Sequence, residues 1–193
     1  MDNEIIKKYI NSIHLIPNEH WDIILSNFEQ FTLKRKTIYI KEGSIINRSY
    51  FLETGFVRSY VIDDKGFEVT TEIFSAPNFV YDFSTFFNKK PAQQNFETIT
   101  ECKFWSMNIE NINKHFHNIP EYREFGRNLL VNHYQSVEQR LLEMLKFSAE
   151  KRYELLIAKH PDIVQNVPVN IIASYLGITK TSLSRLRKKI SKK

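Results

Sequence analysis

The pattern of hydrophobic and polar positions divides the chain into three stretches. In the first, up to about residue 32, apolar residues recur at helical intervals on either side of Pro17 and Asn18, which predicts two short helices. The second helix is expected to include Trp21, Ile24, Leu25 and Phe28. From about residue 32 to residue 108 the chain has short runs of β-branched and aromatic residues, such as "TIYIKEG" and "FEVTTEIF". Many short strands at regular spacing predict a sandwich or barrel and not a parallel sheet.

The third stretch begins at Pro120 and predicts a long helix followed by a shorter one. Gly126 is the only glycine or proline between Pro120 and Pro161. Apolar side chains lie three to four residues apart and form a continuous stripe: Phe125, Leu129, Leu130, Tyr134, Val137, Leu141, Leu142 and Leu145. The stripe is longer than a small domain needs to cover. It predicts either a dimer interface or packing on the strands of the same chain, and both can hold on different sides of the helix.

Near the C-terminus, the segment "IASYLGITKTSLSRLRKKI" (172–190) predicts two helices joined by a turn at Gly177. Thr179 is suited to cap the second helix, because its hydroxyl can accept from the unpaired amides there. At 100° per residue, Leu183, Leu186 and Ile190 share one face of that helix. The opposite face and its flanks carry hydroxyls and cations: Lys180, Thr181, Ser184, Arg185, Arg187, Lys188 and Lys189. These are the groups that base edges and phosphates require.

The charge distribution singles out the same segment. The chain of 193 residues has a net charge of +5, and residues 177–193 contain seven cations and no acid, so the first 176 residues carry a net charge of −2. Such an asymmetry indicates a polyanionic partner, and a solvated charged tail is the alternative. The 42% hydrophobic and 13% aromatic content is typical of a globular protein.

The sequence gives little support for a membrane protein, a secreted protein or a metal-binding protein. No apolar run approaches the roughly 20 residues of a membrane helix, and the N-terminus lacks the layout of a signal peptide, so we expect a cytoplasmic protein. The single cysteine, Cys102, excludes intrachain disulfides and cysteine-ligated metal sites, and we expect it to be buried. His115 and His117 could share a metal on a strand or loop, but no third ligand is identifiable and no metal site is predicted.

No catalytic residues are predicted, because the chain has no glycine-rich phosphate loop and no nucleophile elbow. We therefore do not expect an enzyme. A small-molecule or metal-dependent enzyme with a basic tail, or a module that binds membrane surfaces, are the alternatives to a nucleic-acid-binding protein.

The spacing of a small residue, Ala173, and a glycine four positions later, Gly177, resembles that of the DNA-binding helix-turn-helix. With the strand-rich front, the chain resembles the Crp/Fnr family of bacterial transcription regulators over nearly its whole length. The resemblance is carried by "IKEGSIINRSYFLETGFVRSYVIDDKGFEVT" (40–70) and by "SAEKRYELLIAKHPDIVQNVPVNIIASYLGITKTSLSRLRKKI" (148–190).

The resemblance implies an α+β protein with three parts. Residues 1–118 would form a double-stranded β-helix (jelly-roll) sensor domain, or β-roll, with N-terminal helices. Residues 119–147 would form a dimerisation helix, and residues 148–193 a winged helix-turn-helix. The implied function is that of a homodimeric, sequence-specific regulator that binds double-stranded DNA, with RNA polymerase and an unknown small-molecule effector as further partners and no membrane.

The candidate DNA-contacting residues are Lys180, Thr181, Ser182, Ser184, Arg185, Lys188 and Lys189. Arg185 is the best candidate to bind guanine, since a guanidinium can bond O6 and N7 together. Thr181 stands where the best-known members of the family have a glutamate that accepts from cytosine, so their target sequence is not expected here.

The expected effector pocket departs from the family pattern. Cyclic-nucleotide binders hold the ribose with a glycine-glutamate pair, where this chain has Tyr81 and Asp82. They hold the phosphate with an arginine followed by a small residue, where this chain has Ala92 and Gln93. Lys89 or Lys90 could supply a substitute cation. Because no guanidinium would meet a phosphate, we predict that cyclic AMP is not the ligand and that no cofactor is bound.

Overall fold

The computed structural model describes residues 3–82 and 90–190. The N-terminal part contains α1 (Glu4–Ile13), a 3₁₀ turn (Asn18–His20) and α2 (Trp21–Leu25). The strands are β1 (Phe28–Leu33), β2 (Ile38–Ile40), β3 (Arg48–Thr54), β4 (Phe56–Ile62), β5 (Glu68–Ser75), β6 (Asn78–Val80), β7 (Asn95–Thr98) and β8 (Cys102–Asn108). The helices that follow are α3 (Ile109–Asn118), α4 (Pro120–Lys146), α5 (Ala149–Lys159), α6 (Pro161–Asn166), α7 (Val169–Tyr175) and α8 (Lys180–Ile190).

The strands form two four-stranded antiparallel sheets, in the orders β1-β8-β3-β6 and β2-β7-β4-β5. Apolar side chains from both sheets meet in one core, which includes Leu52, Val57, Phe74, Phe96 and Phe104. This arrangement confirms the predicted β-roll. Cys102 is buried in the same core, as expected, and its thiol donates to the carbonyl of Phe56 at 3.3 Å.

One residue of the predicted second helix belongs to a strand. Phe28 begins β1, where it pairs with Met107 of β8 and is buried. The helix ends at Leu25 because the ladder with β8 satisfies the backbone from residue 28 onward and places Phe28 in the core. The strands therefore begin four residues before the predicted change of pattern at Thr32.

The long helix α4 has 27 residues, which corresponds to a length of about 40 Å. Its first turns pack on the roll, and Tyr122 and Phe125 are buried there. Gly126 allows the ring of Phe116 to lie directly against the helix, since a Cβ atom at this position would be 2.6 Å from Cζ of that ring. The second half of α4 extends beyond this core.

The helices α5 to α8 share a second core, to which the roll contributes Ile73 and Ile99. Two hydrogen bonds also join the roll to α7: the backbone N–H of Thr70 donates to Ser174 Oγ at 2.8 Å, and that hydroxyl donates to the carbonyl of Glu68 at 3.2 Å. The C-terminal unit is thus docked on β5. Between residues 109 and 190 the chain contains no strand, so the β-hairpin of a winged form is not part of the described structure.

Candidate DNA-binding helix and effector pocket

A glycine turn joins α7 to α8. Gly177 has φ +68°, a left-handed conformation that favours glycine over residues with a side chain. The N–H of Ile178 donates to the carbonyl of Ala173 at 3.0 Å, and the N–H of Gly177 donates to that of Ser174 at 3.0 Å. Ala173 is buried in the core of the C-terminal unit. The turn and the small contact residue therefore have the positions that the sequence predicts.

The start of α8 is capped by its own side chains. Thr179 Oγ1 accepts from the backbone N–H of Ser182 at 3.1 Å, which confirms the predicted cap. The hydroxyls of the same two residues lie 2.9 Å apart. Ser182, a candidate DNA-contacting residue, is therefore also part of the cap.

The inner face of α8 anchors the helix to the core. Leu183 is fully buried, and Leu186 and Ile190 are half-buried. Arg187, predicted to flank the polar face, also holds the helix in place: its Nε donates to Tyr153 Oη at 3.0 Å and its guanidinium donates to the carbonyl of Val164 at 3.2 Å. The orientation of α8 is thus fixed by apolar and polar contacts together.

The outer face of α8 is accessible along its whole length, and it carries the candidate DNA-contacting residues. Those exposed are Lys180, Thr181, Ser182, Arg185, Lys188 and Lys189. Ser184 is half-buried, and its hydroxyl donates to the carbonyl of Lys180 at 3.0 Å. Arg185 makes no hydrogen bond or ion pair with any residue that the structure describes. Lys189 forms an ion pair with Glu150 of α5 at 2.7 Å, an exposed contact of little energetic weight.

The second half of α4 exposes a strip of apolar side chains. Its members are Leu130, Val131, Tyr134, Val137, Leu141, Leu142, Met144 and Leu145. Leu141 is 58% exposed and Leu145 is 75% exposed. Phe125 and Leu129, at the start of the predicted stripe, instead pack on the core of the same chain. Packing on the same chain therefore applies to the first part of the stripe, and the second part is left exposed.

A cavity of about 340 Å³ lies between the roll and α4, at the place of the expected effector pocket. Its lining consists of Ser59, Glu72, Tyr81, Asp82, Gln93, Gln94, Phe96, Leu130, His133, Tyr134 and Val137. Tyr81, Asp82 and Gln93 thus come together as the sequence predicts. The hydroxyls of Ser59 and Thr71 lie 2.8 Å apart, and the Thr71 hydroxyl also donates to Gln94 Oε1, so the polar wall is held in place.

Ala92, the expected counterpart of the phosphate-binding arginine, does not line this cavity. It is buried in the roll core, and its backbone pairs with the turn at residues 43–44: its N–H donates to Ser44 at 2.8 Å and its carbonyl accepts from Gly43 at 2.7 Å. Lys90 is exposed and also lies outside the lining, and Lys89 falls outside the described residues. In the described lining the acidic residues Glu72 and Asp82 are present and no lysine or arginine is.

Tyr81 joins the two walls of the cavity. Its ring lies edge-on to that of His133 on α4, with the centroids 4.5 Å apart, and edge-on to that of Phe74 on β5 at 6.0 Å. Burial raises the pKa of the Tyr81 hydroxyl and lowers the pKa of the His133 ring. Both side chains are therefore uncharged at neutral pH, and they occupy the space beside Asp82.

Glu72, on β5 opposite Ser59, was not singled out from the sequence. In "FEVTTEIF" the alternation of polar and apolar residues gives it the character of an outward-facing strand residue. It is half-buried and lines the cavity together with residues of α4, and its carboxylate makes no hydrogen bond with the described residues. Burial raises the pKa of Glu72 to about 7, and the charge of Arg140 on α4 opposes this effect only in part. Ionisation of Glu72 is therefore unfavourable in the folded protein.

Glu72→Gln is expected to stabilise the protein above neutral pH. A carboxyl whose pKa is raised in the folded state destabilises the protein once it ionises, and this loss of stability develops as the pH rises from the ordinary pKa of 4.5 to about 7. Glutamine mimics the protonated form, so the variant should gain on the order of 2 kcal/mol at pH 8 and little at pH 4. Chemical denaturation at both pH values measures this. Equal free energies of unfolding for the two proteins at pH 8 would contradict it.

The described residues give no sign of a metal site or a membrane segment. They contain no group of three or more His, Cys, Asp or Glu side chains arranged to hold a metal ion. His115 and His117 lie on α3 and not on a strand or loop, and His115 is buried against the ring of Tyr122. Within the described ranges no helix has both the length and the apolar character that crossing a bilayer requires.

Comparison with known families identifies the first part of the chain. Residues 30–118, which comprise nearly all of the roll and α3, match the family model of the cyclic nucleotide-binding domain. Curated protein sequences gave no match to the chain. The roll is therefore similar to a cyclic nucleotide-binding domain, although the described lining of its cavity contains no lysine or arginine to face a cyclic phosphate.

Solved structures match nearly the whole chain. FixK2 from Bradyrhizobium japonicum is 14% identical, with a TM-score of 0.74 over 86% of this chain and 85% of that one. A putative Crp/Fnr-family transcriptional regulator from Eubacterium rectale is 15% identical, with a TM-score of 0.71 over 91% and 84%. The c-di-GMP-responsive global regulator CLP from Xanthomonas campestris is 15% identical, with a TM-score of 0.70 over 91% and 92%. The chain has the fold of the Crp/Fnr regulators, and the predicted resemblance is confirmed at the level of the fold.

Proposed function

We propose that the protein is a homodimeric, sequence-specific DNA-binding regulator of transcription of the Crp/Fnr type. The observation that carries this proposal is the outer face of α8, on which Thr181, Arg185 and Lys188 are exposed while Leu183 anchors the opposite face. A helix held in this way can enter the major groove and present a guanidinium and short donors to base edges. The seven cations of residues 177–193 supply the attraction to phosphates.

The apolar strip of α4 supports the homodimer. Two copies that pack these helices together would bury side chains that one copy leaves in water. A two-fold axis along α4 would place the two copies of α8 in successive major grooves, about 34 Å apart on a palindromic site. RNA polymerase would be a further partner, the protein would act in the cytoplasm, and it would have no catalytic activity.

The salt dependence of DNA binding tests this proposal. Affinity for duplex DNA should fall steeply between 50 and 200 mM salt, because each neutralised phosphate releases counterions. Fluorescence anisotropy with a labelled duplex measures this, and vesicles of anionic lipid serve as the control surface. Binding to the vesicles but not to the duplex would contradict the proposal and favour a module that binds membrane surfaces.

The cavity beside Tyr81 is proposed as an effector site that does not accept cyclic AMP. In its described lining a cyclic phosphate would face the carboxylates of Glu72 and Asp82 without a guanidinium, and Tyr81 takes up space that a glycine would leave open.

Titration calorimetry with cyclic AMP and cyclic GMP is therefore expected to show no binding at micromolar concentrations. Micromolar binding of either nucleotide would contradict the prediction. DNA binding measured with and without the nucleotide provides the control, and we expect no change in affinity.

A further inference from the structure

We infer that the cavity between the roll and α4 binds a small organic cation with an aromatic or apolar body, held by the carboxylate of Glu72. This inference rests on the proposed function, since it assigns a ligand class to the proposed effector site. It is carried by the composition of the cavity wall, the position of Glu72 within it and the contacts that join this position to the DNA-binding unit.

The wall of the cavity matches such a ligand in shape and polarity. Aromatic and apolar side chains are contributed by both walls: Tyr81 and Phe96 by the roll, and Tyr134 and Val137 by α4. Amide and hydroxyl groups are provided by Gln93, Gln94 and Ser59. A volume of about 340 Å³ lies within the range of small-molecule sites, roughly 300 to 1,000 Å³. Aromatic side chains in such a wall also attract a cation through their ring faces.

The carboxylate of Glu72 favours a cationic ligand over a neutral or anionic one. This carboxylate lacks a hydrogen-bonding partner among the described residues, and Arg140, whose charge acts on it, is engaged elsewhere. The guanidinium of Arg140 donates to the carbonyl of Tyr175 at 2.9 Å and lies over the ring of Tyr175 at 4.0 Å. An ammonium group in the cavity would give Glu72 a charge-assisted hydrogen bond, whereas an anionic group would be repelled.

The same strand links the cavity to the DNA-binding unit. Glu72 is two residues from Thr70, whose N–H binds Ser174 of α7, and its charge acts on both Arg140 and Tyr175. A cation that neutralises Glu72 changes the electrostatic balance at Arg140, which holds the C-terminal end of α7. Occupation of the cavity is therefore expected to alter the affinity of α8 for DNA.

Three ligands that differ only in the charged end of the molecule test the inference: tryptamine, tryptophol and indole-3-propionate, which are a cation, a neutral alcohol and an anion on the same ethyl-linked indole. Titration calorimetry without DNA should show tryptamine binding about tenfold more tightly than tryptophol, with indole-3-propionate the weakest. Glu72→Gln should reduce the affinity for tryptamine to that for tryptophol. Glu101→Gln, which removes an exposed carboxylate outside the cavity, should leave all three unchanged.

The pH dependence gives a second readout. Tryptamine should bind more tightly as the pH rises through about 7, because Glu72 is then ionised, and this dependence should be absent in Glu72→Gln. The other groups that face Glu72 are Arg140 on α4, Tyr81 after β6 and Tyr175 on α7, and none of them titrates near pH 7. His133 and Asp82 line the same cavity, and burial lowers the pKa of His133 away from this range.

Equal affinities for the three ligands, tighter binding of indole-3-propionate, or no binding of tryptamine at millimolar concentrations would each overturn the inference. Since these titrations contain no DNA, such a failure leaves the proposed DNA binding in place. If instead the protein failed to bind DNA, the titrations would still decide whether the cavity binds a cation.

Discussion

Replacing Leu141 and Leu145 together with glutamate is expected to make the protein monomeric and to weaken its binding to a palindromic operator by at least about 100-fold. Both side chains are more than half exposed on α4, at 58% and 75%. In the proposed dimer they would lie in the interface, where an unpaired carboxylate is strongly disfavoured. A monomer binds one half-site and loses the gain of about 10²- to 10⁴-fold that linked binding gives. Light scattering measures the oligomeric state, and fluorescence anisotropy with a palindromic operator enriched from random duplex DNA measures the affinity.

The matched control adds the same two charges to the same helix. Asn132 and Gln135 are exposed polar residues of α4 outside the apolar strip, so Asn132→Glu with Gln135→Glu should remain dimeric and bind DNA. A dimeric Leu141→Glu, Leu145→Glu variant with unchanged affinity would show that the strip is not the dimer interface. If both double variants were monomeric, the interface would extend beyond the apolar strip to other faces of α4.

Arg185→Ala is expected to weaken operator binding by about 1 to 3 kcal/mol and to relax specificity at one base position. Arg185 is exposed on the outer face of α8 and makes no hydrogen bond or ion pair with the described residues that would have to be broken first. Its guanidinium can bond O6 and N7 of one guanine together. Anisotropy on operators that vary one base pair at a time measures both effects.

Two further variants separate base recognition from charge. Arg185→Lys keeps the charge but not the planar fork, so it should retain binding to random duplexes and lose the preference at that position. Lys188→Ala should weaken binding to all sequences alike and reduce the slope of affinity against salt by about one. If Arg185→Ala affected all sequences equally, Arg185 would be a phosphate contact and not a reader of guanine.

Much of the fold can be predicted from the sequence because the residue patterns that indicate it are local. The change from helical to strand-like periodicity locates the roll within four residues of its observed start. The helix-turn-helix follows from adjacent positions: Ala173 and Gly177 form the turn, Thr179 caps α8 and Leu183 is buried. These features depend on neighbours a few residues apart, so one sequence suffices to predict them.

The side-chain positions that the sequence did not predict depend on contacts with residues far away along the chain. Glu72 has the pattern of an exposed strand residue, but it lines a cavity with residues of α4 and feels the charge of Arg140, which lies 68 residues later in the chain. Arg187 has the pattern of an outward cation, but Tyr153 and Val164 hold it at the inner face. The resemblance to the family predicts Ala92 in the effector pocket, but its backbone bonds to residues 43–44 and its burial hold it in the roll core.

Selection from a pool of random duplex DNA tests the central claim most directly. The wild-type protein should enrich a roughly palindromic motif whose half-sites are about one helical turn apart, with a guanine in each half that Arg185→Ala no longer requires. The outer face of α8 in a two-fold symmetric dimer predicts this result. A pool that remains random after repeated rounds, at salt concentrations where the protein binds DNA, would contradict the account.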